Sequence, residues 1–218
     1  MLDNSKNNII MIQYGEIELI NDQIYFYTKG LTPFINKEIR LHIGDSDKDD
    51  YQNALKYIID YIINDKPSIS NDQTIAYYSW LLQFRSIDQK YFDLYEVISN
   101  GEGFIKGCDI AISIIRSQSE ICAKHNLIPI FPTFSQNIVI SKGVYEGMDI
   151  EAIRYESPTH MCGWWLITDD YDDDPKSLMN VHYYDVAFTR PDILKYLALP
   201  FGYRFFMKND KVEIFIDE

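Results

Sequence analysis

Leu127-Ile128-Pro129-Ile130-Phe131-Pro132 divides the chain. Each proline lacks an amide N–H and constrains the residue before it, so no helix runs through this stretch. On its N-terminal side the apolar residues recur at helical spacing. Ile105, Cys108, Ile112, Ile115 and Cys122 share one face of a helix predicted over about 104–125, and Asp109, Arg116, Glu120 and Lys124 turn away from it. On its C-terminal side come short β-like runs at 137–141, 149–155, 163–168 and 181–188. Arg190-Pro191-Asp192 predicts a short helix through Leu197, because proline suits a first helical turn. Residues 203–207 and 212–216, around Asn209-Asp210, predict a terminal hairpin.

Further toward the N-terminus, 9–20 and 23–28 are rich in Ile and Tyr and read as a hairpin around Asn21-Asp22. Residues 37–43 alternate polar and apolar, as a half-buried strand does. Tyr51, Ala54, Leu55, Ile58 and Ile62 then mark a helix, and the acids at 45–50 before it offset its dipole and cap its free N–H groups. Residues 74–87 and 91–98 are dense in aromatic and aliphatic side chains, and periodicity does not decide between strand and helix there. The class is α+β, with mixed or antiparallel sheets, two main helices and a β-rich C-terminal part. The proline stretch separates 1–130 from 131–218, as two domains or as parts of one continuous fold.

Among 218 residues, 46% are hydrophobic and 15% aromatic, enough for a packed core without a disulfide or metal. The net charge of −13 argues against nucleic acid and anionic membrane as partners and favours a cationic one. No run approaches the ~18 apolar residues of a membrane span, and the first residues lack the pattern of a secretory signal. The three cysteines, Cys108, Cys122 and Cys162, are odd in number and widely spaced, which suits a reduced, cytoplasmic protein.

The densest charge is Asp169-Asp170-Tyr171-Asp172-Asp173-Asp174. It is no EF-hand loop, since Pro175 and Val181 stand where Gly and Glu are needed. Two readings stay open: a solvated loop between strands, or a surface that meets a cationic partner. Just before it, adjacent Trp164 and Trp165 must face opposite sides of a strand, which frees one to anchor a contact. Cys122-x-x-His125 and His160-x-Cys162 have zinc-ligand types without paired Cys-x-x-Cys spacing, so a metal-dependent hydrolase is the weaker alternative. Gly101-Glu102-Gly103 lacks the third glycine of a phosphate loop. Asp149, Glu151 and Glu156 supply carboxylate pairs of a kind any acidic protein has. No catalytic residue, metal site or cofactor is expected.

From about Asn137 to Ile216 a series of landmarks appears in order. They are Val139-Ile140-Ser141-Lys142, Gly147 with Ile150, Arg154-Tyr155-Glu156, Gly163-Trp164-Trp165, the aspartate run, Arg190-Pro191-Asp192, and Leu197 through Phe205. This part resembles the bacterial immunity-protein domain numbered thirty-three, with Cys162-Gly163-Trp164 in place of the family's Ser-Gly-Trp turn. The resemblance implies a non-enzymatic α+β binding protein whose partner is a cognate toxin domain. Many such toxins act on nucleic acid and are basic, and an acidic inhibitor gains association rate against them. Trp165, Asp169, Asp170, Asp172, Asp173 and Asp174 are the expected toxin-binding residues. A regulatory module in which 1–130 binds another cell component is the remaining alternative.

Overall fold

The computed structural model describes residues 9–209 and 211–216. The chain forms two compact units. The first takes Met1–Tyr77, Leu81–Ile98 and Glu102–Ser113; the second takes Tyr78–Trp80, Ser99–Gly101 and Ile114–Glu218. The α+β class holds, with mixed sheets.

The first unit is built on β1 (Ile10–Tyr14), β2 (Ile17–Asn21), β3 (Tyr25–Lys29), β4 (Glu38–His42), β5 (Thr74–Tyr77), β6 (Trp80–Arg85), β7 (Tyr91–Val97) and β8 (Phe104–Lys106). They are ordered β1-β2-β3-β4-β7-β6-β5, with β8 also on β7, and only the β4–β7 pairing is parallel among those described. The stretch 9–20 is therefore two strands, not one. Gly15, at φ +59, makes the turn, and the second hairpin follows at Asp22. The undecided stretches 74–87 and 91–98 are strands.

A one-turn helix α1 (Thr32–Ile35) precedes β4, and α2 (Lys48–Asp65) follows it. The α2 stripe Tyr51, Ala54, Leu55, Ile58, Ile59 and Ile62 is fully buried. Asp49 and Asp50 lie in its first turn, but Asp47 at the N-cap makes no side-chain cap bond, so only the dipole part of the expectation stands for it.

The helix α3 (Asp109–Lys124) begins five residues later than the spacing predicts. Residues 104–106 are β8 instead, where Ile105 pairs with Glu96 and is 52% exposed. Glu96, buried in β7, accepts from the Ile110 and Ala111 amides at 3.0 and 2.7 Å and so caps α3 from a neighbouring strand. Burial outweighs those two bonds, Asp109 adds repulsion, and the carboxyl is pushed up to about 7.

The second unit carries β9 (Asn137–Ile140), β10 (Ile150–Arg154), β11 (Met161–Ile167), β12 (Met179–His182), β13 (Tyr203–Lys208) and β14 (Lys211–Ile216), ordered β12-β9-β11-β10-β13-β14. The β9–β11 pairing is parallel and the rest antiparallel. The run 181–188 is not one strand. It ends β12 and continues as α4 (Tyr183–Thr189), which buries Tyr183, Val186 and Ala187 at helical spacing. Arg190 ends α4, and the expected helix after it is only a 3₁₀ turn at Leu194–Tyr196. The terminal hairpin is present, although Asp210 of its turn lies outside the described residues. Among the described residues no helix is long and apolar enough to cross a membrane.

Candidate partner-binding face

Strand pairing sorts the second sheet into two chemically different faces, because residues in register share a side. One row runs Ile140, Leu166, Ala152, Phe205, and every member is buried. The neighbouring row runs Val139, Trp165, Ile153, Arg204, Phe215, and the next runs Ile167, Glu151, Phe206, Glu213. These two rows form the outer face. Phe206 is 40% and Phe215 39% exposed, and Trp165 is half-buried. Tyr155, 47% exposed, sets its ring edge-on to Trp165 at 6.3 Å. Arg204 donates to Glu151 at 3.3 Å and lies over Phe215 at 5.5 Å, so the charged pair sits among the aromatics.

The adjacent tryptophans divide as a strand requires. Trp164 is buried and donates its indole N–H to the Leu197 carbonyl at 2.8 Å. Beside it Arg154, 1% exposed, donates to the carbonyls of Cys162, Ile130, Leu197 and Leu199 at 2.9, 2.6, 3.3 and 2.6 Å. Burial pulls this guanidinium down to about 10, against the opposing pull of Cys162 and Tyr183. The Gly202 amide returns a bond to the Arg154 carbonyl at 2.7 Å. Arg190 acts in the same way, donating to Val144 and Met148 carbonyls at 3.0 and 3.1 Å while pairing with Asp192 at 2.7 Å. Of the sequence landmarks, Arg154, Trp164 and Arg190 thus lie inside the unit and hold its loops together. They are framework.

The aspartate loop leaves the end of β11, two residues beyond Ile167 of the outer face. Asp169, Asp170, Asp172, Asp173 and Asp174 are all exposed. Two of them also shape the loop. Asp172 accepts from the Ser177 hydroxyl at 2.7 Å and the Asp174 amide at 3.1 Å, which hold its carboxyl below the usual range. Asp174 caps the short turn at Pro175–Ser177 through the Lys176 amide. Lys142 approaches Asp170 at 3.6 Å, a solvent-screened contact.

The two Cys/His pairs do not converge. Cys122 and Cys162 are buried while His125 and His160 are exposed, and the Cys122 thiol is spent on the Ala198 carbonyl at 3.4 Å. Among the described residues no group of three or more His, Cys, Asp or Glu side chains is placed to hold a metal ion. Gly101 to Gly103 stand before β8 rather than at the start of a helix, so they offer no phosphate cradle. What sequence reasoning missed is a cleft at the end of the outer face, lined by Asp149, Glu151, Ile167, Asp169, Phe206 and Lys208 among others. Its only sequence signal is the outward aromatic of Arg204-Phe205-Phe206-Met207-Lys208, set between two cations on the same side.

Residues 117–217 match the family model of the Imm33-like domain. The matched stretch spans the second half of α3 and all of β9 to β14, and so contains both the framework arginines and the outer face. No curated protein matches the chain, and no solved structure does.

Proposed function

We propose that this chain is an immunity-type protein that binds and neutralises a cognate bacterial toxin in the cytoplasm through an acidic surface. The observation that carries the reading is the placement of Trp165. It stands half-exposed on the outer face of β11, and the same strand runs directly into five exposed aspartates. An aromatic anchor beside dense like charge is what a desolvated contact with a basic protein requires: the ring supplies buried area, and the charge supplies encounter rate and rejects wrong partners. A basic nuclease toxin fits both. Inhibition is then occlusion of the toxin by a one-to-one complex, with no chemistry performed by this chain.

The test is co-expression with the toxin domain encoded beside this gene, scoring survival and then co-purification. Survival with a stable complex supports binding. Survival without a complex points to an enzymatic antidote. Death despite expression of folded protein removes the reading.

A further inference from the structure

We infer that the outer face of the second sheet is one continuous docking surface for a basic protein, with the cleft beside Phe206 receiving an arginine or lysine side chain of that partner. The inference rests on the toxin-binding reading and names the partner chemistry and the subsite within it.

Three observations carry it. First, the face bears large apolar side chains that the described residues leave exposed: Tyr155, Phe206 and Phe215 are 39–47% exposed, and the half-buried Trp165 and Ile167 extend the apolar surface across Ile153 and Glu151 onto β11. Scattered apolar residues on a surface need no explanation, but a contiguous patch on one sheet face does. Second, the cleft carries net negative charge. Asp149, Glu151 and Asp169 line it against a single lysine, Lys208, and the acidic surface continues into Asp170 and the rest of the aspartate loop. Third, the cleft combines the two surfaces that a long cationic side chain uses. Phe206 and Ile167 offer apolar walls to its stem or to a flat guanidinium, and the carboxylates take its charged end. Asp149 is steadied by the Asn209 amide at 3.0 Å and Glu151 by Arg204 at 3.3 Å. Both carboxylates are thus held in place, and each keeps lone pairs for a further donor.

The subsite can be read without any toxin. Titrating the ¹⁵N-labelled full chain with N-acetyl-arginine amide should shift resonances of Asp149, Glu151, Asp169 and Phe206 together with one saturation curve. Shifts spread evenly over the acidic residues, or none at the cleft, overturn it. Against a toxin domain from which the wild-type chain protects, Phe206→Ala should weaken binding about tenfold or more. Asp149→Asn with Asp169→Asn should lower the association rate and flatten its salt dependence. All three side chains border solvent, so the fold is expected to survive, and circular dichroism of each variant checks it. If the wild-type protects and these variants bind as it does, the docking surface is wrong and toxin binding stands. If the wild-type protects from nothing, the toxin reading falls, while the arginine titration still decides the cleft. A dimer of this chain that Phe206→Asp dissociates would make the face a self-interface and overturn the proposal.

Discussion

A Cβ on Gly163 would sit 2.3 Å from the carbonyl oxygen of Tyr155, while the Gly163 carbonyl accepts the Tyr155 amide at 3.0 Å. Strand β11 can approach β10 this closely only because position 163 has no side chain, and its φ of +87 is one that L-residues rarely adopt. Gly163 lies within the stretch from Met161 to Trp165 over which the β9–β11 register shifts. Gly163→Ala should therefore destabilise the protein by more than about 1 kcal/mol, read as a lower urea midpoint at unchanged m-value. An unchanged midpoint would show that the strand has room to yield.

Arg154 offers a second stability test. Arg154→Met keeps most of the stem and leaves the Ile130, Cys162, Leu197 and Leu199 carbonyls without their donor. The expected loss is about 3–5 kcal/mol, with Arg154→Lys recovering only part, since one ammonium cannot reproduce the planar fork. Denaturation of both variants decides it, and a loss within about 1 kcal/mol of zero would refute the framework role.

Glu96 predicts a pH dependence of definite sign. Its carboxyl sits at about 7 in the folded chain against an ordinary 4.5. Between those values the folded chain holds a proton that the unfolded chain has released. Its contribution to stability is full below pH 4.5 and is lost as pH rises toward 7, by about 3 kcal/mol in all. Glu96→Gln should flatten the change in unfolding free energy between pH 5 and pH 8. Equal slopes in variant and wild-type would place the proton elsewhere.

Trp165 is the one tryptophan of three with solvent exposure, because Trp80 and Trp164 are fully buried. Acrylamide should quench a single class of emission that Trp165→Phe removes. Binding of the toxin domain should protect it, and quenching that persists in the complex would take Trp165 out of the interface.

Among the described residues, Asp169, Asp170 and Asp173 accept no hydrogen bond that shapes the loop as Asp172 and Asp174 do. Reversing those three to lysine should leave the fold intact and slow association with a basic toxin roughly tenfold or more at low salt. Unchanged association would remove the loop from the encounter surface.

The opposite fates of Trp164 and Trp165 were legible because a sheet with one covered face imposes a period of two, and adjacent residues cannot escape it. The α2 stripe was legible for the same reason at the helical period. Residues 181–188 were not: Tyr183, Val186 and Ala187 have helical spacing, but their aromatic and branched neighbours look like a strand, and burial decides between the two. Ile105 fell into phase with the α3 stripe by accident and belongs to β8. The arginines at 154 and 190 read as surface residues in any linear survey. Their acceptors lie up to 46 residues away, and only the folded path brings them in. The cleft was hidden likewise, since β10 and β13 must pair before Glu151 and Phe206 stand side by side.

Arg154 spends its donors on main-chain oxygens, and Arg190 spends two of its bonds in the same way. Every residue carries such an oxygen whatever its side chain, so these clamps read the route of the chain and not the identity of its neighbours. Framework and recognition are thereby decoupled. On the proposed reading, positions 155, 165 and 206 can drift while the loops behind them stay fastened, and one architecture can serve a succession of partners.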